Sequence, residues 1–282
     1  MPQTAATPAF AFLLRRLDAS ASGAPAPDAV PTGFASLDAL LAGGLRPGDL
    51  TILAGDAGCG KSAFSLALAI RASRSGRRVA ILSGEMTPDR VLERAVAIEG
   101  RLSLDDLRRG ALDEDTRVRA SCAAHDLREI LPTITRIPSP SADGVCEELR
   151  RTLDLDLAVI DGLPHLAPGI RPRGEEMATA LATLKRLALE LDVAILVTMP
   201  LAHPVRERAD PRPTLDDLGA TGAAKDQADV LLTLFREEMY RPAVGIEGAT
   251  ELLVLKNRSG GTGYADLYFY RQWMRFEDMT EE

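Results

Sequence analysis

The 282-residue chain has no uninterrupted apolar stretch near the ~18–20 residues a membrane-spanning helix requires, so no membrane partner is expected. A secretory signal is also not expected, because the first charges, Arg15 and Arg16, follow the short apolar run Ala9–Leu14 instead of preceding it. Cysteine is scarce: Cys59, Cys122 and Cys146 are odd in number, far apart and without metal-ligand spacing, which suits a reducing cytoplasm. Gly (23) and Pro (18) stay at ordinary levels, which excludes a collagenous or wholly disordered chain. There is no internal repeat. Basic charge is outnumbered, 33 Lys and Arg against 41 Asp and Glu for a net −8, which argues against a protein that coats nucleic acid non-specifically. It leaves open a motor whose few cations line a channel. Lysine itself is rare, with only Lys61, Lys185, Lys225 and Lys256, so a lysine inside a motif is informative.

What is present is enough apolar residue, 46%, for a substantial core. Residues 1–33 are rich in Ala, Pro and Ser and read as an N-terminal arm. Within it Phe10, Leu13, Leu14 and Leu17 form one stripe on a short helix, which either packs on its own domain or docks on a neighbouring subunit. Residues 34–282 read as one α/β domain. Apolar strand-like runs at Leu50–Ala54, Val79–Ser83, Leu157–Asp161, Val193–Thr198, Val230–Phe235, Glu251–Lys256 and Ala265–Tyr270 alternate early on with amphipathic segments at Ser62–Ser73, Pro88–Glu99 and Glu175–Leu191. Short strands that are apolar throughout have both faces covered, so the sheet is expected to be mostly parallel and flanked by helices. The last three strands, joined by short turns, are expected to form an antiparallel C-terminal extension.

Directly after the first of these strands stands Gly55-Asp56-Ala57-Gly58-Cys59-Gly60-Lys61-Ser62, which matches G-x-x-x-x-G-K-[ST] at every fixed position. Glycines let the backbone turn its N–H groups toward phosphate oxygens, and the following helix points its positive end at the same anion. Lys61 would reach the β- and γ-phosphates and the Ser62 hydroxyl would ligate Mg²⁺, so ATP and Mg²⁺ are the expected cofactors. With lysine this rare, roughly 0.003 accidental matches are expected in the chain. The run Leu157–Ile160 then places Asp161 at a strand's C-terminal end, where ligands bind in parallel sheets, and makes it the expected carboxylate holding the metal through water. A second strand ends in Ser83-Gly84-Glu85. Glu85 is the expected base for the attacking water, the alternative being an acid that caps the helix opening at Pro88.

Together these segments resemble the ATPase domain of DnaB-type replicative helicases, a RecA-fold motor. Pro31-Thr32-Gly33-Phe34 with Leu37-Asp38 is similar to that family's entry segment, and Leu45-Arg46-Pro47-Gly48-Asp49-Leu50 to its approach to the phosphate loop. Ser83-Gly84-Glu85-Met86 looks like the family's Ser-Leu-Glu-Met, and Asp226-Gln227-Ala228-Asp229 is near its Gln-Asp-Ala-Asp. Lys256-Asn257-Arg258-Ser259-Gly260 with Thr262-Gly263 is similar to its Lys-Gln-Arg-Asn-Gly and Thr-Gly. The resemblance runs from about Pro31 to Glu277. It implies a RecA-like P-loop NTPase core and a homo-oligomeric ring, typically a hexamer, with ATP at each subunit boundary. Lys256 and Arg258 would reach in trans the γ-phosphate bound by a neighbour's Lys61; without the resemblance they read as a solvated turn between antiparallel strands. Single-stranded DNA is the implied polymer partner.

Three departures qualify this. Family members usually carry a separate N-terminal domain that docks primase, so a separate loader or primase-like partner is a further expectation, and the Phe10–Leu17 stripe would be a surviving linker helix. The family's Ser-Gln-Leu is Met199-Pro200-Leu201, and its channel segment Arg-Glu-Ser-Gly is Gly219-Ala220-Thr221-Gly222, which removes a γ-phosphate sensor and a DNA-gripping cation. Arg171, Arg173, Arg206, Arg208 and Arg212 stand nearby as replacements. His165 and His203 follow strand ends and could face the nucleotide or the channel. Cys59 is inert by default, and Tyr270 and Trp273 suit core packing better than stacking on adenine. The leading reading is an ATP-driven ring translocase on single-stranded DNA. A regulatory or assembly switch of the same fold ranks second and a filament-forming recombination ATPase third.

Overall fold

Strands and helices alternate from Ala35 to Phe235 in the computed structural model, which describes Phe10, Leu13, Leu14, Leu17 and residues 28–202, 208–218, 222–242 and 244–279. The order is α1 (Ala35–Leu40), β1 (Leu50–Gly55), α2 (Lys61–Arg74), β2 (Val79–Ser83), α3 (Pro88–Gly100), α4 (Leu104–Arg109), α5 (Glu114–Ile130), β3 (Thr133–Arg136), α6 (Ala142–Arg151) and β4 (Leu157–Asp161). There follow α7 (Arg173–Leu191), β5 (Ala194–Pro200), α8 (Gly222–Gln227), β6 (Val230–Phe235), β7 (Ala249–Asn257), β8 (Gly263–Tyr270) and β9 (Arg275–Asp278). They build one sheet in the order β3-β2-β4-β5-β1-β6-β7-β8-β9.

The first six strands in that order run parallel, and β7, β8 and β9 add on antiparallel. Every residue of β1, β2, β4 and β6 is buried, as expected for strands covered by helices on both faces. One core cluster, containing Phe64 and Ile70 of α2, fills one face, and the other, containing Leu181 and Leu184 of α7, fills the opposite face. Two strands escape the sequence pattern because they are edges. β3 is Thr-Ile-Thr-Arg, only partly covered, and β9 buries Phe276 alone. The polar stretch before β3 holds α4 and α5, and α6 follows it. Their starts are marked by Ser103, Asp113 and Ser141, each accepting a hydrogen bond from the backbone N–H three residues on.

Residues 28–33, read above as part of the arm, pack on the domain. Val30 bridges Leu45 and is fully buried, and the Thr32 hydroxyl donates to Asp38 at 2.7 Å. Of the arm proper, Phe10, Leu13, Leu14 and Leu17 are helical and about half exposed. Among the described residues no helix is long and apolar enough to cross a membrane.

The two ends of the domain are tied together next to α2. Phe64 stacks on Phe34 at 4.7 Å and meets Phe276 edge-on at 5.5 Å, and Arg71 lies over the Phe34 ring while donating to the Gly33 and Phe276 carbonyls. Asp278 accepts from the Ala35 and Ser36 backbone N–H groups at the start of α1. Phe64→Ala removes the ring that meets both Phe34 and Phe276 and is expected to cost about 3–5 kcal/mol, read as a lower urea midpoint with an unchanged slope.

Candidate nucleotide site and a distant basic pair

β1 ends at Gly55 and α2 begins at Lys61, so the loop between them wraps the N-terminus of a helix. Gly60, at φ +108°, caps that helix, and a Cβ there would come within 2.7 Å of the Phe276 ring; no other residue type fits without displacing it. The Lys61 ammonium donates to the Gly55 and Asp56 carbonyls at 2.8 and 2.9 Å. Two residues beyond β6 brace the loop. The Tyr240 hydroxyl donates to Asp56 at 2.8 Å, and the buried Arg236 guanidinium points at the Gly58 carbonyl at 3.5 Å.

Neighbouring strands deliver the acids. β4 carries Asp161 to the same sheet edge, where it is 5% exposed and accepts from the Ser62 hydroxyl at 3.1 Å and the Thr198 hydroxyl of β5 at 2.8 Å. Burial raises the proton affinity of this carboxyl and the Glu85 charge adds to it, while the two hydroxyl bonds oppose. A buried carboxylate with a serine hydroxyl beside it and too little positive charge fits a divalent cation. No group of three or more His, Cys, Asp or Glu clusters among the described residues, so phosphate oxygens and water would complete the shell. Glu85 lies just past β2, half-exposed, with its Oε1 3.8 Å from His165 Nε2.

One open cavity of about 530 Å³ is lined by Ala57, Gly58 and the run from Gly60 to Ala63 and by Glu85, Arg94, His165, Arg173, Thr198 and Pro200, with Asp161 bonded to its lining residues Ser62 and Thr198. A larger cavity of about 960 Å³ continues it past Gly58, Phe269 and Met274. Sequence reasoning missed Arg94, Thr198 and Tyr240. Arg94 is notable because its Nε is buried without a partner, and burial weakens its hold on a proton while Asp161 and Glu85 oppose that. Tyr270 and Trp273 stack on each other at 5.2 Å and line neither cavity. Cys59 is buried and its thiol is pushed up by desolvation.

Lys256 and Arg258 are elsewhere. Asn257 pairs with Val230 at the start of β6, and Val230 pairs with Thr51 at the start of β1, so both side chains belong to the rim opposite Gly55. The five steps of β1 at ~3.3 Å put about 17 Å between the two rims. There Arg258 pairs with Asp229 at 3.3 Å, and Lys256 donates to the Lys225 carbonyl. Asp229, 6% exposed in its side chain, also receives Lys185 at 2.6 Å and the Leu50 N–H at 2.8 Å. Of the arginines expected to grip DNA, Arg208 is committed to Asp217 at 2.8 Å and Arg212 to both Glu251 oxygens at 2.6 and 2.7 Å, whereas Arg171 and Arg173 are exposed. His203, Arg206 and Gly219–Thr221 lie outside the described residues.

A phosphate loop on the first of a set of parallel strands, with carboxylates ending two neighbouring strands, defines a P-loop ATPase fold of the RecA type. The model of the DnaB-like helicase C-terminal domain family matches residues 29–278, and the chain belongs to that family. It is 29% identical over 257 residues to the replicative DNA helicase DnaB of Geobacillus stearothermophilus, covering 89% of this chain and 56% of that one, so it spans about half the length of such relatives. A separately solved ATPase domain superposes with a TM-score of 0.87 at 23% identity, over 99% of this chain and 100% of the other. A DnaB-like replicative helicase solved for its interactions with primase gives 0.86 at 24% identity, over 95% of this chain and 66% of that one.

The lower rim also holds a group that titrates near neutrality. The Asp49 carboxyl is pushed up from its ordinary 3.8 to about 6, by burial first and then by Asp229, against the pull of Lys185, Arg46 and Arg258. The folded state therefore holds this proton more tightly than the unfolded chain, and stability falls as pH rises from about 4 through 6. Asp49→Asn is expected to gain on the order of 1–2 kcal/mol at neutral pH and nothing below about pH 4, measured by urea unfolding across pH.

Proposed function

We propose that the chain is an ATP-hydrolysing DnaB-like ring motor, a single-stranded DNA translocase acting as a replicative helicase in the cytoplasm. The observation that carries this reading is the distance between its two sets of cations. The anion cradle and the Lys256–Arg258 pair lie on opposite rims of one sheet, so a complete site forms only between two copies of the chain.

In that site the backbone N–H groups of Gly58, Cys59 and Gly60 and the start of α2 surround the phosphates, and Lys61 leaves the loop carbonyls for the β- and γ-oxygens. Ser62, and Asp161 through water, would hold Mg²⁺, which neutralises phosphate charge when bound. Glu85 orients and deprotonates the attacking water, and Arg94 adds a cation from the same subunit. Arg258 and Lys256 of the next subunit meet the charge that develops on the γ-phosphate, a contribution of ~10³–10⁵ in rate. The larger cavity past Gly58 has room for the base. The half-exposed Phe10–Leu17 stripe docks on the adjacent subunit of the ring, a hexamer by family resemblance, and a loader or primase-like protein is the proposed further partner.

One observation favours a second reading, an ATP-dependent assembly or regulatory switch that does not pull DNA. Pro200 lines the cavity without a side-chain hydrogen bond to offer, and Arg208 and Arg212 are held by carboxylates of their own chain. Steady-state ATP hydrolysis with and without single-stranded DNA separates the two. A motor is stimulated several-fold by the strand and a switch is indifferent to it. Lys61→Ala is expected to abolish turnover, and retained hydrolysis would remove the phosphate-site assignment.

A further inference from the structure

His165 occupies a slot made by two glycines. It sits on the single 3₁₀ turn Leu163–Leu166 after β4, with its backbone N–H bonded to the Gly162 carbonyl at 2.9 Å. A Cβ on Gly84 would lie 2.7 Å from both Cβ and Cγ of His165, and a Cβ on Gly162 would lie 2.5 Å from its Cδ2. Either would drive the ring out. The backbones that form the slot are themselves joined, the Gly84 N–H donating to the Asp161 carbonyl at 3.0 Å. The space for a ring beside Glu85 thus depends on glycine at 84 and 162.

The slot aims the ring at one group. Nε2 of His165 is 3.8 Å from Glu85 Oε1, and the Glu85 Cγ lies 3.6 Å from where a Gly162 Cβ would be. A shift of about 1 Å brings the pair to hydrogen-bonding distance. Both side chains line the cavity that also holds Lys61, Ser62, Arg94 and Arg173. Glu85 is followed by Met86, whose N–H bonds the Ser83 hydroxyl at 3.0 Å; the backbone is thus fixed, while among the described residues His165 is the ion-pairing partner of the half-exposed carboxylate.

We propose that His165 is a positioning residue for Glu85: its Nε2–H holds one carboxylate oxygen so that the other faces the water attacking the γ-phosphate. This rests on the reading of Glu85 as the base of an ATPase. A neutral imidazole suffices, because Nε2 acts only as a donor and no proton is transferred to it. A base held off line by an ångström loses on the order of 10²-fold in rate, and partial misorientation loses about 10-fold.

The test is ATP turnover by the full chain with single-stranded DNA, together with binding of a fluorescent ATP analogue. H165A is expected to lower kcat about 10-fold while KM and analogue affinity stay within about two-fold. H165Q, whose amide N–H reaches where Nε2 does, recovers most of the rate. G84A alone reproduces the H165A loss by displacing His165, yet costs nothing further in an H165G background, since neither Cβ nor ring then remains for the added methyl to meet. Equal kcat for H165A and the parent, a loss in KM rather than kcat, or additive G84A and H165G effects each overturn the proposal. E85Q runs in parallel. If E85Q is inactive while H165A is unimpaired, only the positioning role falls; if E85Q turns over normally, the base assignment and the positioning role fall together.

Discussion

The sheet stands one strand-length tall, and in the proposed reading its two rims carry complementary halves of one reaction. At the upper rim the loop from Gly55 to Ser62 collects N–H groups and an ammonium around a space for an anion. At the lower rim Arg258 lies beside Asp229 where β6 begins, and Lys256 stands two rungs further in, level with Ile52 of β1. No side chain spans about 17 Å of intervening strand, because an extended arginine reaches only about 7 Å. In the proposed reading, oligomerisation is therefore part of the chemistry.

Each rim keeps its charges in check while apart. Lys61 spends its hydrogen bonds on loop carbonyls that a phosphate would replace, and Arg258 rests on Asp229, which Lys185 and the Leu50 N–H also satisfy. A buried carboxylate with three donors is a firm anchor, so in the proposed reading the arginine can leave it without stranding an unpaired charge. Lys185, one of four lysines in the chain, is the residue that makes this possible. Asp161 is the reverse case: among the described residues its side-chain donors are hydroxyls, and burial leaves it short of positive charge until a cation is supplied.

The parts legible in the sequence are those whose physics is local. β2, β4 and β6 follow from apolar runs covered on both faces, and the phosphate loop from glycine and lysine at fixed spacing. Edges were not legible: β3 has no apolar run and β9 has one buried residue. Nor were partnerships across the fold. Arg212 reads as a free cation until Glu251, 39 residues on, accepts from its Nε and one Nη, and Arg94 reads as an ordinary helix-surface arginine until α3 turns it toward the cavity. His165 stood out only as a histidine after a strand; what gives it a setting is glycine at 84 and 162, and an absent side chain carries no periodicity to read.

The proposed shared site is tested most directly by mixing two proteins expected to be inactive alone. Lys61→Ala subunits keep the basic pair but lose the cradle, and Arg258→Ala subunits keep the cradle but lose the finger. Co-assembled at equal concentration with ATP and single-stranded DNA, they are expected to regain part of the parent hydrolysis rate, because some boundaries then pair an intact cradle with an intact finger. Hydrolysis that stays at the level of the separate mutants at every mixing ratio, in assemblies shown to contain both, would contradict the account.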